Sequence, residues 1–278
     1  FQQLYNVVDS MVVGNYLGKD AVAAVGISFP VLFTLISLLI GLAMGSSIVI
    51  SQYYGAKDQV NLQKAVGTTY ILTLGISIIL TVISILAVDP ILKLMNTPDN
   101  IYAMSKTYMM ILFAGTIFSA GYNMLTGILR AVGDSKTPLY FLIIATILNI
   151  ILDLLFVLQF KMGVAGVAIA TITAQASSFF LCSIYIKKTN PSVALTKKNL
   201  VYDKGLAKQI IKLGIPSGLQ QMIVALSIFV LQGIVNSFGS DVIAGYSLAG
   251  KIDSMCIMFY MTIGMAISTF TGQNIGAG

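Results

Sequence analysis

Residues 21–56 read AVAAVGISFPVLFTLISLLIGLAMGSSIVISQYYGA, bounded by Asp20 and Lys57 with no charge between them. A helix needs about 20 apolar residues to cross about 30 Å of hydrocarbon, and this run exceeds that length. Working outward, residues 65–88, 107–129, 162–186, 213–240 and 254–278 are equally free of charge. Residues 137–160 form one more such run, broken only by Asp153. The reading is an all-α, polytopic membrane bundle with seven crossing helices. Residues 1–14 resemble the end of a further helix, the first in chain order, too short to cross alone. The chain begins with Phe1 rather than Met, so that first helix is expected to be cut. A signal peptide is excluded, because the segment lacks a basic start and a small-residue cleavage site.

Composition agrees. The 278 residues are 57% hydrophobic and only 9% charged, with mean hydropathy +0.90. Soluble domains carry about 25% charged residues. A bilayer removes the need for polar surface, since lipid-facing side chains should be apolar. The net charge of +6 does not mark a nucleic-acid binder, because the lysines sit between apolar runs and build no basic stripe. The chain has neither His nor Glu, so acid–base chemistry rests on its Asp residues. Cys182 and Cys256 lie inside apolar runs and read as buried small hydrophobes rather than a disulfide or a metal pair.

Charge asymmetry gives an orientation. Counting the stub as helix one, the loops after helices two, four and six and their flanks hold Lys57, Lys64, Arg130, Lys136, Lys187, Lys188, Lys197, Lys198, Lys204, Lys208 and Lys212. The other side holds only Lys19, Lys93, Lys106 and Lys161. The even loops are therefore expected in the cytoplasm. The longest connection, 188–205, is polar and Lys-rich and reads as a linker between two bundles. Residues 1–187 would form an N-terminal lobe and 206–278 the start of a second.

An internal repeat supports that division. At a constant offset of 221, residues 15–57 align with 236–278 without gaps. Asn15, Gly18, Asp20 and Ala23 meet Asn236, Gly239, Asp241 and Ala244. Met44 and Ser47 meet Met265 and Ser268, and Gln52, Gly55 and Ala56 meet Gln273, Gly276 and Ala277. Both copies would run the same way through the membrane, related by an axis along its normal. An intact protein of this plan would have about twelve helices in two lobes.

Six segments carry a family resemblance. Tyr5-Asn-Val-Val-Asp9-Ser-Met-Val-Val-Gly14 and Arg130-Ala-Val-Gly133-Asp-Ser-Lys-Thr-Pro138 come first. Asn149-Ile-Ile-Leu-Asp153, Gly163-Val-Ala-Gly166-Val-Ala-Ile-Ala-Thr171, Leu213-Gly-Ile-Pro216 and Gln273-Asn-Ile-Gly-Ala-Gly278 follow in order. In this order they resemble the multidrug and toxic compound extrusion (MATE) transporters, across the whole chain.

Few residues can carry chemistry. An ionised Asp at membrane depth costs at least about 2.5 kcal/mol, so one that persists is a functional candidate. Asp153 lies well inside its run, with Asn149 one turn earlier on the same face. It reads either as a cation or proton site or as an interhelical hydrogen bond that fixes packing. Asp9 alone reads equally as a functional residue or as an interfacial residue or helix cap. The resemblance implies more: Asp9 and Asp153 would face a cavity and bind the coupling ion, with Asn149 and Thr171 supplying neutral oxygens. The ion would be Na⁺, held by hard oxygen ligands, or H⁺. No other metal and no organic cofactor is implied. Lys251 and Asp253 open the last run, two residues apart, and either reach the outer interface or mark a second polar site. Family exporters often carry an acidic residue on helix seven. The matching stretch here, Gln220-Gln221-Met-Ile-Val-Ala, has none.

The thirteen Met and fourteen Phe read mostly as lipid-facing or packing residues. Pro30 and Pro216 should kink their helices, and Gly41, Gly45, Gly163 and Gly166 suit close helix packing. The function implied by the resemblance is antiport. Small amphipathic organic compounds, often cationic, would leave the cell in exchange for Na⁺ or H⁺. A monomer in the plasma membrane, in contact with lipids, is the expected form. A lipid-linked saccharide flippase is the alternative, but it favours a cationic cavity, and Lys or Arg is nearly absent inside the runs. Intramembrane enzymes are disfavoured: a zinc protease lacks His ligands, and the nearest match to an aspartyl protease motif, Ala131-Val-Gly133-Asp134, lies in a loop.

Overall fold

The computed structural model describes residues 8–196, 199–236 and 240–278, with side chains between residues 225 and 258 described in part. Helix α1 covers residues 8–17 and ends in a π-turn, Val13–Leu17. Then follow α2 (Lys19–Gly55), α3 (Gln59–Leu94), α4 (Asp99–Ala114) and α5 (Thr116–Ala131). Helix α6 (Lys136–Leu154) ends in a second π-turn, Leu155–Gln159, and α7 (Gly163–Thr189), α8 (Lys204–Asn236) and α9 (Ser240–Ala277) complete the chain. Among the described residues five helices are long and apolar enough to span a membrane, or six if the bent α4–α5 pair is one span.

The distribution of polarity is that of a membrane bundle. Ile78, Ile79, Val82, Ile83 and Leu86 on α3, and Ile144, Ile147 and Ile151 on α6, are exposed. Ser28, Ser37, Ser46, Ser51, Thr68 and Ser77 are buried. Apolar side chains face outward and small hydroxyls face inward because lipid competes for no hydrogen bonds. Most of those hydroxyls satisfy themselves one turn back: Ser28 Oγ donates to Ala24 O at 2.8 Å and Ser46 Oγ to Leu42 O at 2.9 Å.

Local chemistry sets the helix starts. Asp20 lies in the first turn of α2, where the helix dipole favours an anion. Asp58 caps α3, accepting from the Asn61 N–H at 3.1 Å and from Asn61 Nδ2 at 2.6 Å. These bonds hold the Asp58 carboxyl below its ordinary range. Pro30 and Pro216 lie inside α2 and α8, and Pro90 inside α3.

Two expectations change. Residues 107–129 are not one straight span: the chain bends by 45° between α4 and α5. The break falls at Gly115, where a Cβ would lie 2.3 to 2.9 Å from the Ile172 side chain of α7, so the chain bends around a neighbour with no side chain in between. Cys182 is buried but Cys256 is exposed. The 188–205 connection is docked along much of its length. Val193, Ala194 and Asn199 are buried, and Thr68 Oγ1 of α3 donates to Val201 O at 3.2 Å and accepts from Asp203 N at 3.1 Å. A Cβ at Gly67 would lie 1.9 Å from Asn199 O.

Helix α2 is the central element, packed against α3, α4, α5, α8 and α9. It meets α8 through glycines on both sides. A Cβ on Gly41 would lie 2.3 Å from Gly218 N, and one on Gly45 2.6 Å from Gly214 N. This is small-residue packing of two backbones, the mode available where lipid provides no hydrophobic drive. Gly166 also packs closely, since a Cβ there would lie 3.0 Å from Phe156 Cβ, whereas Gly163 takes a φ of 60° at the turn into α7.

Candidate ion site

Three helices bring the acidic residues together. Asp9 stands on α1, four residues before the Val13–Leu17 π-turn, and Asp153 stands on α6, two residues before the Leu155–Gln159 π-turn. Lys161 and Gly163, both at positive φ, reverse the chain so that α7 returns beside α6. Thr171 of α7 then reaches Asp9. A cluster of Val12, Val13, Ala21, Tyr108, Val157, Val164, Val167 and Ala168 packs this region. A π-turn widens a helix by one residue and frees local backbone geometry, and such turns recur at functional sites.

Asp9 and Asp153 are neighbours, close enough to interact. Both are buried, Asp153 completely, and Asn149 is 1% exposed. Thr171 Oγ1 lies 3.5 Å from Asp9 Oδ2 and donates to Val167 O at 3.0 Å. Beyond these contacts, Asp9 Oδ1, both Asp153 oxygens and both polar atoms of Asn149 have no partner among the described residues. Among the described residues the one ion pair is Lys106–Asp89, at 2.8 Å, so no basic side chain neutralises the two acids. Two carboxylates bond to each other only through a shared proton, and a buried charge needs a partner. The orphaned oxygens therefore suit either a proton or a small hard cation. Two carboxylates, an amide and a hydroxyl supply the oxygen ligands such a cation takes.

Asn149 and Thr171 also line a neighbouring cavity of about 40 Å³. Ser119, Tyr122, Asn123, Gln175 and Ser178 complete its polar wall, and Ser119 Oγ donates to Gln175 Oε1. It has room for a few waters or an ion. Sequence reasoning missed these five residues. The available signal was the polar pair Ser119 and Asn123, one turn apart, where Asn123 Nδ2 donates to Ser119 O at 2.9 Å. The other sequence candidates do not join the site. Asp253 is exposed on α9, and the side chain of Lys251 lies outside the described residues, as do Lys197 and Lys198.

Comparison with known proteins follows from this geometry. The MatE family model matches residues 1–155 and 216–278. The chain is 38% identical to "Probable multidrug resistance protein YoeA" of Bacillus subtilis, over 99% of this chain and 61% of that protein. It is 33% identical to "Probable multidrug resistance protein YpnP" of the same organism, over 100% of this chain and 62% of that protein. It superposes with a TM-score of 0.90 and 27% identity on a solved structure described as the outward-facing conformation of a multidrug resistance MATE family transporter, covering 99% of this chain and 61% of the other. The chain thus spans about three-fifths of the length of these relatives.

Proposed function

This chain belongs to the MatE family, a family of multi-pass membrane transporters rather than enzymes, and from that premise we propose that its protein is an ion-coupled exporter of organic compounds. Its substrates are amphipathic and often cationic small molecules, the class suggested by the multidrug names of its relatives. Export is driven by inward movement of Na⁺ or H⁺. The protein sits in the plasma membrane with its Lys-rich loops in the cytoplasm.

The observation that carries this reading is the Asp9–Asp153 pair, buried and without a basic partner among the described residues. Two bare carboxylates in so dry a place repel, so the pair rests only when a proton or Na⁺ lies between them. Asn149 and Thr171 stand beside the pair and line the cavity, on the path by which an ion would arrive. Loading or emptying the site changes its charge and thereby biases the packing of α1, α6 and α7. If the loaded state favours release of substrate on the outer side, the inward ion gradient drives export. Two lobes rocking about a central path would complete the cycle.

Everted vesicles holding the natural protein test the reading. Uptake of a fluorescent organic cation should follow an imposed Na⁺ or H⁺ gradient and stop when that gradient is collapsed. Uptake that ignores both gradients would remove ion coupling from the account.

A further inference from the structure

One face of α8 changes character along its length. Lys204, Lys208 and Lys212 lie four residues apart and are exposed, so they form one stripe. In steps of three and four the same stripe continues through Ile215, Leu219 and Ile223, which are also exposed. Helix α8 has 33 residues, a length of about 50 Å against roughly 30 Å of hydrocarbon. Its charge-free run begins at Leu213. The apolar part of the stripe therefore lies at acyl-chain depth, and the lysines lie in the headgroup layer. Lys212, the deepest of the three, carries its ammonium outward on an apolar stem. Among the described residues none of these lysines has a carboxylate partner. Asp203 stands next to them, but its Oδ1 accepts from Gly205 N at 2.8 Å and from Leu206 N at 3.0 Å, capping the helix.

Just before the stripe, Leu200, Val201 and Tyr202 are 49%, 47% and 50% exposed. Their backbone is nevertheless fixed, because Thr68 Oγ1 of α3 donates to Val201 O at 3.2 Å and accepts from Asp203 N at 3.1 Å. Thr68 stands near the start of the charge-free 65–88 run. The clamp thus holds this segment at the edge of the membrane and leaves three large apolar side chains uncovered.

We propose that this face of α8, with the finger formed by Leu200, Val201 and Tyr202, is a docking site for an anionic phospholipid in the leaflet at the Lys-rich end. The lysines hold its headgroup, and Ile215, Leu219 and Ile223 lie along its acyl chains. Tyr202 seats the finger at the interface, where amphipathic rings settle. A stripe that is basic at headgroup depth and apolar at acyl depth matches a molecule divided in the same way. An acidic soluble protein would match the lysines and leave the apolar half unmatched. Attraction between Lys and an anionic headgroup falls off within a Debye length, so contact with three lysines favours an anionic lipid over a zwitterionic one. The site is independent of what the protein exports.

Native mass spectrometry of the natural protein in detergent, titrated with phosphatidylglycerol, tests the site. Lys204→Gln, Lys208→Gln and Lys212→Gln together should weaken binding of the first lipid at least about tenfold. Arg at the same three positions should bind as the natural protein does. Lys19→Gln, Lys93→Gln and Lys161→Gln remove the same charge from the other end and should leave that affinity within about twofold. Phosphatidylcholine should bind equally to all four proteins, which also shows that the variants are folded. Equal losses from the two Gln triples overturn the proposal, because they report net charge alone. No loss from the α8 triple also overturns it, and is the result for a face covered by further protein. Displacement of the lipid by an equal concentration of inorganic phosphate overturns a lipid site as well. In a second arm, a nitroxide is attached at Tyr202→Cys in the cysteine-free natural protein in bilayers. It should collide more often with oxygen than with a water-soluble nickel complex. The reverse overturns the seating of the finger.

Discussion

Thr171 Oγ1 lies 3.5 Å from Asp9 Oδ2, a contact between residues 162 positions apart. It ties α7 to α1 beside an acidic pair that has no basic partner among the described residues. Thr171→Val keeps the shape and removes the hydroxyl. The hydroxyl proton goes to Val167 O, which leaves the oxygen to serve as a neutral ligand, so its removal should weaken binding of a Na⁺ coupling ion several-fold. Thr171→Ser should recover most of the loss. The ion concentration giving half-maximal export checks both. An unchanged value in Thr171→Val would remove this hydroxyl from the site.

Asp9 and Asp153 act as one unit in this account. Asp9→Asn should abolish gradient-driven export, and adding Asp153→Asn should make little further difference, because groups acting through one site are not additive. Equilibrium binding of the organic substrate should survive in both. A double variant whose ion-binding loss equals the sum of the two single losses would separate the residues into independent sites.

The bend at Gly115 predicts a stability effect. Gly115→Ala places a methyl 2.3 Å from Ile172 Cγ1. Overpacking of this kind typically costs about 1–3 kcal/mol. The melting temperature of the detergent-solubilised protein should fall. Ile172→Ala added to Gly115→Ala should restore part of that fall, since it vacates the space. No shift in Gly115→Ala would mean that α4 and α5 straighten at no cost.

Orientation has its own test. Lys188 is exposed at the end of α7. In a cysteine-free protein, Lys188→Cys should react with an impermeant thiol reagent in inside-out vesicles and not in intact cells. The reverse pattern would invert the topology.

Much of this was legible in the sequence, for physical reasons that also mark where legibility ended. Charge-free runs locate membrane helices because a charge is expensive in lipid, so 21–56 and its neighbours fell within α2 to α9. Asp9 and Asp153 stood out for the same reason. Ser119, Tyr122, Asn123, Gln175 and Ser178 did not, because neutral polar residues are cheap in a span when they bond to their own helix. Ser28 and Ser46 do that, and nothing in the sequence separates them from the cavity wall. The Gly115 bend was hidden among glycines such as Gly41 and Gly45, which lie in the unbroken α2. The docking of Val193, Ala194 and Asn199 within the 188–205 linker was not legible, because the lysines around them mask the buried residues.

The most direct test of the central claim is export by Asp153→Asn. This side chain is fully buried, and the change removes its charge while nearly keeping its shape. The natural protein and the variant, in matched vesicles with an imposed Na⁺ or H⁺ gradient, are compared for export and for equilibrium binding of one organic cation. Loss of gradient-driven export with binding retained is the predicted result. Export by Asp153→Asn at the natural rate, under the same gradient, would contradict it.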